Sequence, residues 1–119
     1  MPSWDELELS VGEASPMEAR VFARLPLAAA DRGDGDDLQL GGRLVGPECE
    51  LARTLQTSVP FVARAAEGAL MAQAVVVDPC FWTPELPFLY RAKLELRRKG
   101  QVVGRHEQVL GLSRKSSDA

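Results

Sequence analysis

Residues 90–97 read Tyr90-Arg91-Ala92-Lys93-Leu94-Glu95-Leu96-Arg97, and this stretch decides the fold class. Four apolar side chains, Tyr90, Ala92, Leu94 and Leu96, alternate with four charged ones, Arg91, Lys93, Glu95 and Arg97. Successive side chains of a β-strand point to opposite faces, so the segment presents one wholly apolar face and one wholly charged face. It is read as a strand of an antiparallel sheet, with Tyr90, Ala92, Leu94 and Leu96 in the core.

Working outward, Arg98-Lys99-Gly100 punctuates the chain and residues 101–112 return as a terminal hairpin strand. A bulge is expected there, because Val102 and Val103 fall on opposite faces. Upstream, Leu7, Leu9 and Val11 alternate with Glu6, Glu8 and Ser10. Met17, Ala19, Val21 and Ala23 alternate with Glu18, Arg20, Phe22 and Arg24, where Phe22 blurs the polar face. In residues 69–77, Leu70, Ala72, Ala74 and Val76 oppose Met71, Val75 and Val77, a strand apolar on both sides. Gly41-Gly42, Gly46-Pro47, Asp78-Pro79 and Lys99-Gly100 are read as turns. The alanine-rich stretch 62–71 is broken by Gly68 and follows Pro60, which leaves room only for a short turn.

About seven short strands with frequent turns predict an all-β fold, an immunoglobulin-like two-sheet antiparallel β-sandwich. It is expected to occupy residues 1–112, followed by a polar tail over 113–119. An antibody-type domain does not fit, because Trp82 sits beside Cys80 rather than midway between two cysteines.

The bounds agree with one soluble domain. A chain of 119 residues, 45% hydrophobic and 26% charged, has the composition of a folded globular protein. A net charge of −3 lacks the basic excess that binds phosphate backbones, so nucleic acid is not expected as a partner. No apolar run approaches the ~20 residues of a membrane span. The start, Met1-Pro2-Ser3-Trp4-Asp5-Glu6, has no basic or apolar region of a secretory signal, and a cytoplasmic setting is the expectation. Cys49 and Cys80 are too few for a disulfide framework and are read as buried thiols.

Residues 78–90 read Asp-Pro-Cys-Phe-Trp-Thr-Pro-Glu-Leu-Pro-Phe-Leu-Tyr and lead directly into the deciding strand. With the Gly100 turn and Gly111-Leu112 after it, this resembles the end of the immunoglobulin-like sandwich domain of glycoside hydrolase family 2, which includes β-galactosidases, β-glucuronidases and β-mannosidases. That domain carries a Trp-(Ser/Thr)-Pro-Glu-x-Pro-x-Leu-Tyr segment before its penultimate strand, matched here by Trp82, Thr83, Pro84, Glu85, Pro87, Leu89 and Tyr90. The closing sequence departs from the family's pattern, with Ser113 between Leu112 and Arg114. The sequence ends at Ala119, where the family's catalytic (β/α)₈ barrel would begin. The family's two catalytic glutamates lie in that barrel, so the resemblance carries over no catalytic residue.

The motif also has a direct physical reading. Pro84 and Pro87 fix φ and deny helix to Thr83 and Leu86, which predicts a rigid extended corner with Trp82 and Tyr90 packing into the sandwich end. The alternative is that Phe81 and Trp82 form a platform that stacks on sugars. Other constellations offer less. His106, the only histidine, lies on a strand between Arg105 and Glu107 and is read as solvent-facing, so neither a triad nor a histidine metal site is expected. Glu85 is read as a turn residue, and Glu48 and Glu50 as strand-surface charges. Residues 31–37, Asp-Arg-Gly-Asp-Gly-Asp-Asp, form a solvated loop with clustered oxygen ligands. From Asp34, however, a calcium loop would need Gly where Gln39 stands and Glu where Val45 stands. Arg32-Gly33-Asp34 is read as a chance match to an adhesion tripeptide, and Gly41-Gly42 precedes no helix that would make it a phosphate loop.

The function expected is a non-catalytic accessory or protein-interaction module, not an enzyme, with no cofactor and no metal. A carbohydrate-binding module using Phe81, Trp82 or Trp4 is the rival, and a small enzyme with an unfamiliar site is a third reading. The two-sided apolar strand 69–77 suggests a homodimer or a protein partner contacting it or a sheet edge near it.

Overall fold

Alternating sequences become alternating strands in the computed structural model, which describes residues 3–27 and 38–112. The acidic stretch 31–37, with its calcium and adhesion readings, and the tail 113–119 lie outside the described residues. A short 3₁₀ turn (Trp4–Glu6) precedes seven strands: β1 (Glu8–Ala14), β2 (Glu18–Pro26), β3 (Leu38–Glu48), β4 (Thr57–Arg64), β5 (Ala69–Val77), β6 (Leu89–Arg98) and β7 (Gln101–Leu110). All pair antiparallel in the order β1-β2-β5-β4-β3-β6-β7.

This ribbon folds into the two layers of an immunoglobulin-like sandwich because β4 changes sheets midway. Its first part pairs with β3, from Thr57 opposite Gly46 to Phe61 opposite Gly42. Its last residues, Val62–Arg64, pair instead with β5. One layer is therefore β1-β2-β5 and the other β3-β6-β7, with β4 as the corner between them.

The layers enclose one core of complementary bulk. The β2-β5 side contributes mostly small groups, Ala19, Val21, Ala23, Ala72, Ala74 and Val76, with Leu25 and Leu70 at one end. The β3-β6 side contributes Leu38, Leu40, Leu44, Tyr90, Ala92, Leu94 and Leu96. Phe61 of β4 and Leu112, just past β7, complete the cluster. The four apolar residues of the deciding strand are each at most 2% exposed, as their alternation predicts. Small residues opposite large ones let two sheets approach without voids.

The hairpin between β6 and β7 closes through Lys99 at φ 50° and Gly100 at φ 82°, the positive pair that a two-residue type I′ turn demands. The bulge falls where it is expected. Leu96 opposes Gly104 and Arg97 opposes Val102, leaving Val103 as the extra residue.

Two turn readings are corrected. Gly41-Gly42 and Gly46, predicted as turns, lie inside β3. Glycine serves close approach there rather than chain reversal. Gly42 has φ 128°, and a Cβ on it would stand 2.0 Å from the Lys93 carbonyl oxygen of β6. At Gly46 a Cβ would meet the Tyr90 ring at 2.7 Å. On the outer face of β5, Met71 opposes Arg24 and Arg64, and Val75 opposes Arg20. Met71 and Val75 are thus partly buried among arginine neighbours, while Val77 is 68% exposed.

The link from β5 to β6 is tied to the core by backbone groups. The Cys80 N–H donates to the Tyr90 hydroxyl at 3.0 Å, and the Trp82 N–H donates to the Leu112 carbonyl at 2.9 Å. Burial pushes the Tyr90 hydroxyl above its ordinary value near 10. The folded chain then keeps a proton that the unfolded chain has lost. This contribution is complete below a pH of about 10 and is lost as pH rises through the folded value.

Gly42→Ala is expected to cost about 3–5 kcal/mol in urea unfolding, from backbone strain plus overpacking against Lys93. Gly41→Ala, whose Cβ would meet nothing nearer than 3.9 Å, stays within about 1 kcal/mol. Tyr90→Phe removes the acceptor of the Cys80 N–H and is expected to cost about 1–2 kcal/mol. Tyr90 is the only tyrosine, so an absorbance titration reports it directly, and its midpoint is expected to be higher in the folded chain than in urea.

Candidate functional site

The motif segment closes as a tight turn rather than the extended corner predicted from its prolines. Thr83 and Leu86 face each other: the Thr83 N–H donates to the Leu86 carbonyl at 3.2 Å, and the Leu86 N–H donates to Thr83 Oγ1 at 3.0 Å. The Phe88 N–H donates to the same Leu86 carbonyl at 2.8 Å. Proline bars helix but suits the second position of a β-turn, where Pro84 stands, with Glu85 following as a turn residue.

The aromatic residues on either side divide between surface and core. Trp82 lies across Gly111, where an added Cβ would come within 2.9 Å of the Trp82 Cβ, and the residue is 46% exposed. Phe81 is half-buried and packs against the core cluster. Tyr90 is buried, and Leu89 stands on the outside at the start of β6.

Beside the turn is a feature that the alternation pattern does not reveal. Residues 49–56, between β3 and β4, join Pro47, Glu48, Pro87 and Leu89 around an open groove of about 1090 Å³. Leu51 is 67% exposed and Leu55 91%. Residues 49–56 have no period-two pattern, so nothing in the sequence marks these leucines as outward-facing. Cys49 lines the groove as a partly buried free thiol, and Cys80 is likewise free and partly buried. Both were expected to be buried, but each lies in a loop at a strand end, outside the inward positions of the ladder.

The charged groups nearby are structural in arrangement. Arg91 of β6 reaches Glu107 of β7 at 2.9 Å and Glu48 at the end of β3 at 3.4 Å. The hydrogen bond that Arg91 donates to Glu107, then that to Glu48, raises the Arg91 pKa. All three side chains are more than a third exposed, so each ion pair is worth little in stability. Glu48 is a strand-surface charge, as read, whereas Glu50 lies in the turn after β3. His106 is not simply solvent-facing. Its ring stacks on Trp4 with centroids 5.3 Å apart and planes 13° from parallel. The 3₁₀ turn at the N-terminus carries Trp4 over Gly104, where a Cβ would meet Trp4 Nε1 at 3.5 Å. Among the described residues, no group of three or more His, Cys, Asp or Glu side chains is placed to hold a metal ion, and no helix is long and apolar enough to cross a membrane.

A solved structure of Bacteroides uniformis beta-glucuronidase 2, covalently bound to cyclophellitol-6-carboxylate aziridine, is similar over 90% of this chain, with 22% identity and a TM-score of 0.49. The chain spans 13% of that protein's length. No curated protein sequence matches the chain. The family model for glycosyl hydrolases family 2 matches residues 31–112, more than half of the chain, from before β3 to the buried Leu112. The chain belongs to glycosyl hydrolases family 2.

Proposed function

We propose that the chain is a non-catalytic β-sandwich module of this family, acting as an accessory domain that packs against protein. The observation that carries this reading is the apolar groove. Leu51, Leu55, Pro87 and Leu89 line it on a domain whose core is already filled from both sheets. Exposed apolar residues gathered around one concavity mark contact surfaces more often than scattered ones do. The 119 residues are too few to hold a (β/α)₈ barrel, which takes about 200 or more. Of the two glutamates that line the groove, Glu48 and Glu50, Glu48 is held by the Arg91 guanidinium.

A carbohydrate-binding role is the second reading, supported by the half-exposed Trp82 beside the turn. Flat aromatic rings with one open face are suited to stacking on sugars. Phe81, packed against the core, leaves Trp82 as the main contact in that reading.

Enzyme and fluorescence assays separate the readings. No hydrolysis of aryl β-glucuronides or β-galactosides above a buffer blank is expected; turnover abolished by a single carboxylate substitution would overturn the non-catalytic reading. Tryptophan emission is expected to stay constant on titration with oligosaccharides to millimolar concentration. A saturable shift lost in Trp82→Ala would instead establish the carbohydrate reading. Replacing both Leu51 and Leu55 by Ser is expected to lower the binding of the apolar dye ANS several-fold and to leave stability within about 0.5 kcal/mol per site.

A further inference from the structure

β7 ends its sheet, and among the described residues no strand pairs with the backbone N–H and C=O groups on its side away from β6. Such an edge accepts another strand if the side chains agree. The question is which strand its sequence fits.

Two-fold pairing of β7 with the same strand of another copy puts residue i opposite residue S − i, with S constant. Paired residues of an antiparallel ladder share a face and neighbours alternate, so the axis must pass through one residue. Three centres lie within the charged stretch. Centred on Arg105 or on Glu107, the ladder sets that charge against its own copy, which is destabilising. Centred on His106, it sets Arg105 against the partner's Glu107 and Glu107 against the partner's Arg105. The same register opposes Gly104 to Gln108 and Val103 to Val109.

The side chains are available for this. Arg105 and Glu107 are exposed, as are Val103 at 43% and Val109 at 44%. Arg105 opposes Glu95 on β6, but the Glu95 carboxylate is held by Arg97 at 2.7 Å, and no ion-pair partner of Arg105 appears among the described residues. Glu107 already bonds Arg91 on its inner flank, so an arginine on its outer flank would complete a charge-alternating row across the junction. The other free edge, β1, does not have this property, because its ionisable residues, Glu8 and Glu13, are all acids.

We infer that β7 is a self-complementary edge through which two copies of this chain join into a two-fold dimer centred on His106. The site is separate from the groove and stands whether or not the accessory-module reading holds.

Sedimentation equilibrium of the 119-residue chain across micromolar to high-micromolar concentration tests it. The expected result is a monomer–dimer equilibrium. Arg105→Glu sets like charges against each other twice per dimer and is expected to weaken it at least about tenfold. Glu107→Arg is expected to do the same, and the double variant Arg105→Glu/Glu107→Arg to restore the dimer. Circular dichroism of each variant distinguishes a lost interface from a lost fold. A monomer throughout, a dimer indifferent to Arg105→Glu, or failure of the double variant to recover would overturn the inference. Concentration-dependent growth beyond the dimer would overturn it too, since pairing of β7 with β1 of another copy does not close.

Discussion

The close approach of Gly42 to the Lys93 carbonyl is the contact on which the rest of the sandwich depends. β3 is paired on both sides only from Gly42 to Val45, with β4 along one edge and β6 along the other. From Gly42 back to Leu38 it keeps β6 alone, because β4 has left after Phe61 to pair with β5. Gly42 is thus the branch point at which one seven-stranded ribbon becomes two facing layers. A side chain at that position would hold β3 off β6, and φ 128° is open to glycine at little cost.

How much of this was legible follows from what repeats. Tyr90 to Leu96 buries every second residue, and that periodicity is visible without any tertiary knowledge. The same holds for Ala19, Val21 and Ala23 and for Leu70 to Val76. The Val102-Val103 bulge was legible because two adjacent valines break the alternation. The glycines of β3 were misread for a physical reason: glycine marks both a turn and a close approach, and only the partner strand distinguishes them. The Thr83–Leu86 turn was misread in a similar way. Two prolines exclude helix but permit either extended chain or a β-turn, and the hydrogen bonds of Thr83 select the turn.

The site was less legible than the fold. Leu51 and Leu55 belong to no repeating pattern, so their exposure is a property of where the β3–β4 loop falls and not of the local sequence. The stack of Trp4 on His106 joins residues about a hundred positions apart, brought together because a short turn capped by Ser3 seats Trp4 against the last strand. Trp82 and Tyr90 both belong to the matching motif, yet they differ in burial, at 46% and 2% exposed. Tyr90 occupies an inward position of β6, whereas Trp82 precedes the turn, outside any ladder.

The distribution of charge then restricts where this domain can touch anything else. The outer face of the β3-β6-β7 layer carries Arg91, Lys93, Glu95 and Arg97 in succession, and the other layer presents Arg20, Arg24 and Arg64 around Met71 and Val75. Burying either broad face would strip water from several charges at once, a cost that a few surface ion pairs do not return. The loop end carries apolar surface that can be covered, Leu51, Leu55, Pro87 and Leu89, alongside the charged Glu48, Glu50 and Arg53. A free edge is different again, because an added strand replaces the water on its backbone groups with hydrogen bonds of equal number. Contact through an end or an edge, leaving both charged faces wet, is therefore the arrangement with the smallest desolvation cost for a sandwich of this sequence.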